Sequence, residues 1–449
     1  MNCNIFMDCN ILNKSGLIDF VNNYSCNKTD QKKRGVVFTN EITILTLLNL
    51  LPASVWSNKS FKWLDPGSGI GNIMIYVYFR LMDNIPIENE EKRRKHIIEN
   101  MLYFVELKED YVEYIKYIFC SDKYKLNIHC GSFVIMNITT DNNNIFNSTI
   151  YYDIIITNPP YQKPTKLGKA SSKPLYHLFI EKAINILKDG GYLVAIHPFT
   201  WRRKSREIKL IDIILKYQII YIYTDNNFKE FDKSAIHINY YLLEKKNTYK
   251  KTICDNYFNN KYYKSVININ NNLEYLPILL TEETFSILDK MTNINNNNKK
   301  LNIKLESKTS SSHSPENTRT EFSNIFKHPN YHTFSIRKQC NIYKYSKEKH
   351  PSHDKTKIIM NFKGGYNIFR PFIDYGTMGI TDNALYMEIE SGDEILKLLN
   401  SDIFKFILHI TSYNYAPNKK IEFHILNTLS ISDNYGLSDK EIKFIKDII

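Results

Sequence analysis

An α/β fold is what this sequence predicts: a doubly wound, mostly parallel sheet covered on both faces, followed by a second domain. Three observations carry it. Across residues 35–245 short apolar runs alternate with helical patterns, the order that a parallel sheet with crossover helices requires. A glycine-rich turn follows the first of these runs directly, and open α/β sheets hold their ligands at such strand ends. After about residue 246 the texture changes to Asn, Lys, Tyr and Ser without a sustained period, so a different domain begins there.

The strands expected from the apolar runs are 61–64, 101–106, 125–129, 153–157, 192–197, 219–223 and 235–243. Between them lie helices, of which 175–187 is the clearest: Leu175, Phe179, Ala183 and Leu187 recur four apart, with Leu178 and Ile186 widening the stripe. Asp189-Gly190-Gly191 ends that helix and feeds the next strand. The densely charged stretch 88–95 reads as a solvated helix or loop. Asn-rich runs at 141–144, 268–272 and 293–298 read as solvated loops, because polar tracts cannot offset their ordering entropy. In the second domain 307–314 reads as a loop, Asp382-Asn383 as a turn, and 393–399 and 402–411 as helices.

A length of 449 residues provides for two or three domains at roughly 150 residues each. Lys and Arg number 59 against 47 Asp and Glu, a balance of +12, which makes nucleic acid the first partner to consider. Seven cysteines without any Cys-x-x-Cys neither complete a disulfide framework nor give zinc spacing, so a reducing, intracellular compartment is expected. No stretch reaches the ~18 apolar residues of a spanning helix, and the N-terminus lacks the pattern of a signal peptide. A soluble, cytoplasmic monomer is the expectation.

The first chemical motif is Asp65-Pro66-Gly67-Ser68-Gly69-Ile70-Gly71. Its three glycines permit a ligand to approach the backbone at a helix start. The spacing Gly67-x-Gly69-x-Gly71 is not the dinucleotide fingerprint, and no Gly-Lys-Ser/Thr follows that would suit a nucleoside triphosphate. Glu106 ends the next strand, where a carboxylate accepts hydrogen bonds from ribose hydroxyls. Turn and acid together read as a nucleoside site.

The sharpest motif is Asn158-Pro159-Pro160-Tyr161, directly after Ile154-Ile155-Ile156 and Thr157. Two prolines stiffen the turn, so the Asn158 amide and the Pro159 carbonyl keep fixed directions and Tyr161 presents a ring. Amide oxygen and carbonyl can each accept a hydrogen from an exocyclic amine whose ring stacks on the tyrosine. The bland alternative is an ordinary strand-ending turn.

Glycine turn, strand-end acid and Asn-Pro-Pro-Tyr in this order resemble the S-adenosylmethionine-dependent amino-methyltransferases, and more narrowly the gamma-class (Taq-type) adenine-specific DNA methyltransferases of restriction-modification systems. Further motifs carry the resemblance over 35–245. Gly35-Val36-Val37-Phe38-Thr39 is similar to the segment that walls the methionine end of the cofactor, with Asn40, rather than the family's frequent proline, able to cap the following helix. The run from Leu175-Tyr176 through Glu181-Lys182-Ala183 to Gly190-Gly191, then Pro198, Thr200 and Trp201, resembles the family's helix-strand-loop after the catalytic turn. Asn226-Asn227-Phe228 ahead of Ser234-Ala235 resembles the site of a second aromatic that stacks on the flipped base, with Phe231 in reserve. In one departure, Gly131-Ser132 stands where the family usually carries an acid for the cofactor's adenine; Ser132 accepts a hydrogen bond but has no charge.

The resemblance implies a Rossmann-like methyltransferase sheet at 35–245, an N-terminal extension at 1–34 and a target-recognition domain at 246–449. It implies Asn158, Pro159, Pro160, Tyr161 and Phe228 as catalytic residues. Phe38, Thr39, Asp65, Gly67, Gly69, Gly71, Glu106, Ser132 and Asn158 would bind the cofactor. The implied reaction is methylation of adenine N6 in double-stranded DNA after base flipping, in a system that can include a cognate restriction endonuclease. Trp201-Arg202-Arg203-Lys204 puts three cations and a ring beyond the same sheet edge, which suits phosphate contact or a solvated loop. The scattered histidines 313, 328, 332, 350 and 353 lack paired metal spacing, and no metal is assigned. Two rival readings stand beside this one: methylation of RNA or of a release-factor glutamine, and a catalytically silent nucleic-acid-binding subunit.

Overall fold

A continuous apolar run makes a strand buried on both faces, and Ile154, Ile155 and Ile156 form one, none more than 1% exposed. The computed structural model describes residues 10–25, 39–136, 151–164, 170–205, 208–225, 238–248, 250–269, 273–293, 299–305, 317–335, 337–362, 369–390, 393–413, 421–432 and 434–449. Two compact units divide the chain. The first comprises Met1–Asp232, Ile238–Asp255 and Val266–Glu274, and the second is built mainly from Tyr275–Ile449.

In the first unit, helices α1 (Lys14–Ser25) and α2 (Glu41–Asn49) precede strand β1 (Trp63–Asp65). Asn40 caps α2, its side chain accepting from Thr43 N at 2.8 Å, as its sequence position predicts. Then come α3 (Asn72–Asn84), α4 (Glu90–His96), β2 (Leu102–Glu106), α5 (Glu109–Ile118), β3 (Asn127–Cys130) and β4 (Tyr152–Thr157). A hairpin of β5 (Gln162–Pro164) and β6 (Ala170–Pro174) leads to α6 (Tyr176–Ile186), β7 (Leu187–Pro198), α7 (Leu210–Ile214), β8 (Gln218–Asp225) and β9 (Ile238–Glu244). Strands β10 (Thr252–Phe258) and β11 (Lys261–Ile267) follow, with Asn256–Ser265 belonging to the second unit, and within the first unit the sheet order is β8-β9-β7-β4-β1-β2-β3.

Pairing is parallel from β3 through β2, β1 and β4 to β7, whereas β9 runs antiparallel to both β7 and β8. The five parallel strands bring their carboxyl ends to one edge. Asp65, Glu106, Gly131, Asn158 and the loop after Pro198 therefore emerge together, although they are scattered along the chain. Helix α6 covers the sheet with Phe179, Ile180, Ala183 and Ile184, all buried, while Leu178 is only half-buried. Ile186 and Leu187 are buried as well, so the expected stripe of Phe179, Ala183, Ile186 and Leu187 is present and is widened by Ile180 and Ile184.

The second unit has α8 (Glu282–Asn293), then β12 (Thr318–Arg319), β13 (His328–Ser335), β14 (Cys340–Ser346), β15 (Thr356–Asn361), β16 (Phe372–Tyr375), β17 (Gly379–Ile380) and β18 (Ala384–Glu388). These strands form two small sheets, β12-β14-β13-β17 and β16-β15-β18. Tyr331, Ile359, Ile380, Ala384 and Tyr386 pack one core cluster between them. Helices α9 (Asp393–Asn400), α10 (Asp402–Ile410), α11 (Phe423–Leu426) and α12 (Asp439–Ile448) follow. The helices expected from 393–399 and 402–411 are α9 and α10, and Asp382-Asn383 makes the turn. The expected loop at 307–314 and the Asn run at 141–144 lie outside the described residues.

Candidate active site

Two of the three glycines in the turn after β1 cannot be replaced without strain. Gly69 and Gly71 have φ of +57° and +86°, in the left-handed region. A Cβ on Gly71 would stand 3.3 Å from Ile115, whereas one on Gly69 would meet nothing within 4 Å. Gly71 thus serves the packing of α3, and Gly69 faces open space.

Hydrogen bonds tie this turn to the neighbouring strand ends. Asp65 Oδ1 accepts from Gly67 N at 3.1 Å, and Ser68 Oγ donates to the Asp65 carbonyl at 2.8 Å. Glu106 accepts from Gly69 N through Oε2 at 2.8 Å and from Lys108 N through Oε1 at 2.9 Å. The Glu106 carbonyl accepts from Gly131 N at 2.8 Å, which brings the half-buried Ser132 to the same edge. Burial drives the Asp65 carboxyl up to about 7; the Glu106 charge adds to this and the Gly67 N–H opposes it. Burial also raises Glu106, against the N–H groups of Lys108 and Gly69. Asp65 Oδ2 is buried with no hydrogen-bond partner, a cost that a ligand donor would relieve.

Asn158 follows β4 at the same edge. Its Nδ2 donates to Thr39 Oγ1 at 3.0 Å, a contact between residues 119 apart. A Cβ on Gly67 would lie 3.8 Å from Phe179 and 3.9 Å from Pro160, so the glycine turn and the Asn-Pro-Pro-Tyr turn abut. Pro159 is buried, Pro160 exposed and Tyr161 half-buried, and the Tyr161 carbonyl accepts from Leu175 N at 2.9 Å. Asp65, Gly67, Gly69, Gly71, Glu106, Ser132, Thr39 and Asn158 are thus gathered at one edge. Phe38 and Phe228 lie outside the described residues.

The basic loop departs from its sequence reading. Trp201 and Arg202 are both 0% exposed. Trp201 Nε1 donates to Asn239 Oδ1 at 2.9 Å, Arg202 Nη2 donates to Thr224 Oγ1, and the Arg202 guanidinium lies 5.6 Å from the Phe199 ring centre. Both side chains are held inside the unit, which removes them from phosphate contact. Lys204 is exposed and pairs with Asp212 at 3.1 Å, and Arg203 is half-buried. Beside them His197 is buried, stacks on Tyr176 at 4.8 Å and bonds Tyr241 Oη at 3.0 Å; burial lowers it to about 3, so it is a neutral core histidine.

Two site residues escape sequence reasoning. Asn72, first residue of α3 and 6% exposed, donates from Nδ2 to the Thr39 carbonyl at 2.8 Å. Lys182 on α6 donates to the carbonyls of Phe133 and Val134, at 2.5 and 3.4 Å, and of Met136. It thereby clamps the turn that begins at Ser132. The position of Asn72 directly after the last glycine is the signal that could have found it, whereas Lys182, quoted in the Glu181-Lys182-Ala183 run of the resemblance, carries no signal of its contact with the 133–136 carbonyls. Among the described residues no group of three His, Cys, Asp or Glu could hold a metal ion, and no helix is long and apolar enough to cross a membrane.

Residues 40–231 match the Eco57I restriction-modification methylase family. No curated protein sequence matches the chain. Among solved structures, the type IIL restriction-modification enzyme MmeI in complex with DNA aligns with 92% of this chain and 69% of its own, at 10% identity and a TM-score of 0.55. The DrdV–DNA complex aligns with 97% of this chain and 59% of its own, at 12% identity and a TM-score of 0.52. A modification subunit of a putative type I restriction enzyme from Vibrio vulnificus YJ016 aligns with 58% and 65%, at 11% identity and a TM-score of 0.43. The chain spans 59% to 69% of the length of these proteins. MmeI and DrdV share its fold at these identities. In fold, and in sequence over residues 40–231, this chain is similar to the restriction-modification methylases, as its glycine turn, Glu106 and Asn-Pro-Pro-Tyr motif lead one to expect.

Proposed function

We propose that this protein is a DNA methyltransferase that uses S-adenosylmethionine to methylate adenine at N6 after extruding the base from the duplex. The observation that carries the reading is the Asn158 amide, fixed by Thr39 at 3.0 Å beside a glycine turn bonded to a strand-end carboxylate. Residues 35–245 carry the transfer and 246–449 read the target. The protein acts as a cytoplasmic monomer, alone or alongside a cognate restriction endonuclease.

The residues fit the cofactor. Glu106 is placed to accept ribose hydroxyls, the open space over Gly69 admits a ligand against the backbone, and Asp65 Oδ2 offers a buried acceptor to a cationic amine. S-adenosylmethionine supplies an activated methyl on a sulfonium, which needs no covalent enzyme intermediate. The chain's own work is orientation. The amide oxygen of Asn158 and the Pro159 carbonyl accept the two hydrogens of the adenine amine, drawing its lone pair out of the ring and toward the methyl. Tyr161 stacks on the extruded base, and Phe228 would close its other face.

The test is to incubate the purified protein with duplex DNA and labelled cofactor, digest the DNA and identify the methylated nucleoside. N6-methyladenine is expected, and Asn158→Ala should abolish it while retaining DNA binding. Label appearing instead only in RNA or in a glutamine peptide overturns the reading, and so does wild-type turnover by Asn158→Ala.

A further inference from the structure

We infer that Thr39 and Asn72 are positioning residues that lock the catalytic amide of Asn158 in one of its two flips, an inference that rests on the function proposed above. A primary amide is nearly symmetric in shape, yet only its oxygen can accept from an amine. Rotation by half a turn would present the –NH2 instead, donor against donor, and the amine would lose its acceptor. The flip is therefore decided by whatever holds the nitrogen. Among the contacts of Asn158, Thr39 Oγ1 is one that holds it, accepting from Asn158 Nδ2 at 3.0 Å.

Thr39 is itself held. Its carbonyl accepts from Asn72 Nδ2 at 2.8 Å, and Asn72 Oδ1 accepts from Ile73 N at 3.0 Å. Thr39 and Asn72 are 7% and 6% exposed, so water competes little for these bonds. Asn72 directly follows Gly71, the last glycine of the turn after β1. The relay from Asn72 to Thr39 to Asn158 thus references the catalytic amide to the helix start that ends the cofactor turn. Methyl donor and amine acceptor are registered against one rigid element, which in-line transfer requires. Asn72 contributes through the backbone of Thr39, and Thr39 through its hydroxyl.

The experiment replaces the hydroxyl by a methyl of nearly equal volume. Thr39→Val should lower kcat roughly tenfold, the effect of losing one orienting hydrogen bond. Because Thr39 is also expected to touch the cofactor, kcat is read at saturating S-adenosylmethionine, and the dissociation constant for duplex DNA should stay within about twofold. Thr39→Ser restores the hydroxyl and should recover most of the lost rate. The side-chain amide resonances of Asn158, assigned by their loss in Asn158→Asp, should shift in Thr39→Val and exchange faster with solvent. Should Thr39→Val fold poorly, Thr39→Ala provides the same readings. Unchanged Asn158 resonances, or a weakened cofactor affinity with kcat intact, overturn the inference. The resonances need no turnover, so a wild-type protein that leaves DNA unmethylated while they shift refutes the proposed reaction and leaves the positioning relay standing.

Discussion

The backbone N–H of Gly69 lies 2.8 Å from Glu106 Oε2, joining the turn after β1 to the end of β2 through a partly buried, charge-assisted bond. The carboxylate proposed above to hold the ribose also shapes the glycine turn. Glu106→Ala removes the acceptor for Gly69 N and Lys108 N at once, besides the ligand contact. A charge-assisted bond is worth about 1.5 to 3 kcal/mol, so cofactor affinity should fall by roughly 10- to 150-fold. Glu106→Gln keeps an oxygen for one of the two N–H groups and should fall between the two. Calorimetry of cofactor binding checks the order, and equal affinity in all three proteins contradicts the assignment.

Asp65 gives a prediction with a defined sign. Its carboxyl is raised from 3.8 to about 7 in the folded protein, chiefly by burial. Between those values the native state binds a proton that the unfolded state has released, so stability falls as pH rises through this window and levels off above it. Asp65→Asn carries no such proton. The unliganded variant should hold a flatter melting temperature from about pH 4 to 7 than the wild type. A cationic ligand favours the ionised carboxylate, so cofactor binding near pH 6.5 should release a proton from the wild type that Asp65→Asn does not release. Calorimetry in buffers of different ionisation enthalpy measures this difference, and identical proton counts in the two proteins would dismiss Asp65 as a ligand.

The sheet of the first unit was legible because parallel strands buried on both faces must be continuously apolar: 153–157 reads directly as Tyr152–Thr157, and 101–106 as Leu102–Glu106. The small sheets of the second unit were not. Their strands read His-Pro-Asn-Tyr-His-Thr-Phe-Ser and Cys-Asn-Ile-Tyr-Lys-Tyr-Ser. Half-buried tyrosines, lysines and asparagines there blur the two-residue alternation on which strand recognition rests. At the site, residues whose chemistry depends on local backbone, such as Gly69 and Asn158, stood out in the sequence. Those whose role is a contact across the fold, Asn72 to Thr39 and Lys182 to the 133–136 carbonyls, have no local signature. The burial of Arg202 was hidden for the same reason: a basic loop looks alike in sequence whether its cations meet water or a threonine inside the unit.

Lys182 bears on the departure at Ser132. No carboxylate stands at that position to hold the cofactor's adenine, but the turn that starts there is clamped by the ammonium through the carbonyls of Phe133, Val134 and Met136. Burial lowers the Lys182 amine, in keeping with an internal role. With the turn released in Lys182→Met, which keeps an unbranched apolar stem but loses the ammonium 5.1 Å from the Phe133 ring centre, cofactor affinity should drop by roughly threefold to tenfold, the range of a lost hydrogen bond. Binding titrations with S-adenosylmethionine and with a fragment lacking the adenine base distinguish the sites. Loss confined to the intact cofactor places the effect at the adenine end, and equal loss for both locates it elsewhere.

The loop after β7 carries one enclosed and one exposed cation. Arg202 is enclosed, donating to Thr224 Oγ1 beneath Phe199, whereas Lys204 is half exposed and paired with Asp212 at 3.1 Å. Arg202→Ala empties a buried volume and strips Thr224 of a charged donor, so it should destabilise the protein by about 2 to 4 kcal/mol. Lys204→Ala removes an exposed ion pair worth about 0 to 1 kcal/mol and should leave the melting temperature nearly unchanged. Its effect belongs to DNA: a cation that neutralises one phosphate steepens the fall of log affinity with log salt by roughly 0.9, and its removal takes that increment away. Denaturation of both variants, together with DNA titrations at several salt concentrations, gives the two readings independently. A salt slope unaltered in Lys204→Ala shows that this loop does not touch the backbone of the duplex. An Arg202→Ala protein of wild-type stability but weakened DNA binding shows instead that the guanidinium leaves its pocket to meet phosphate.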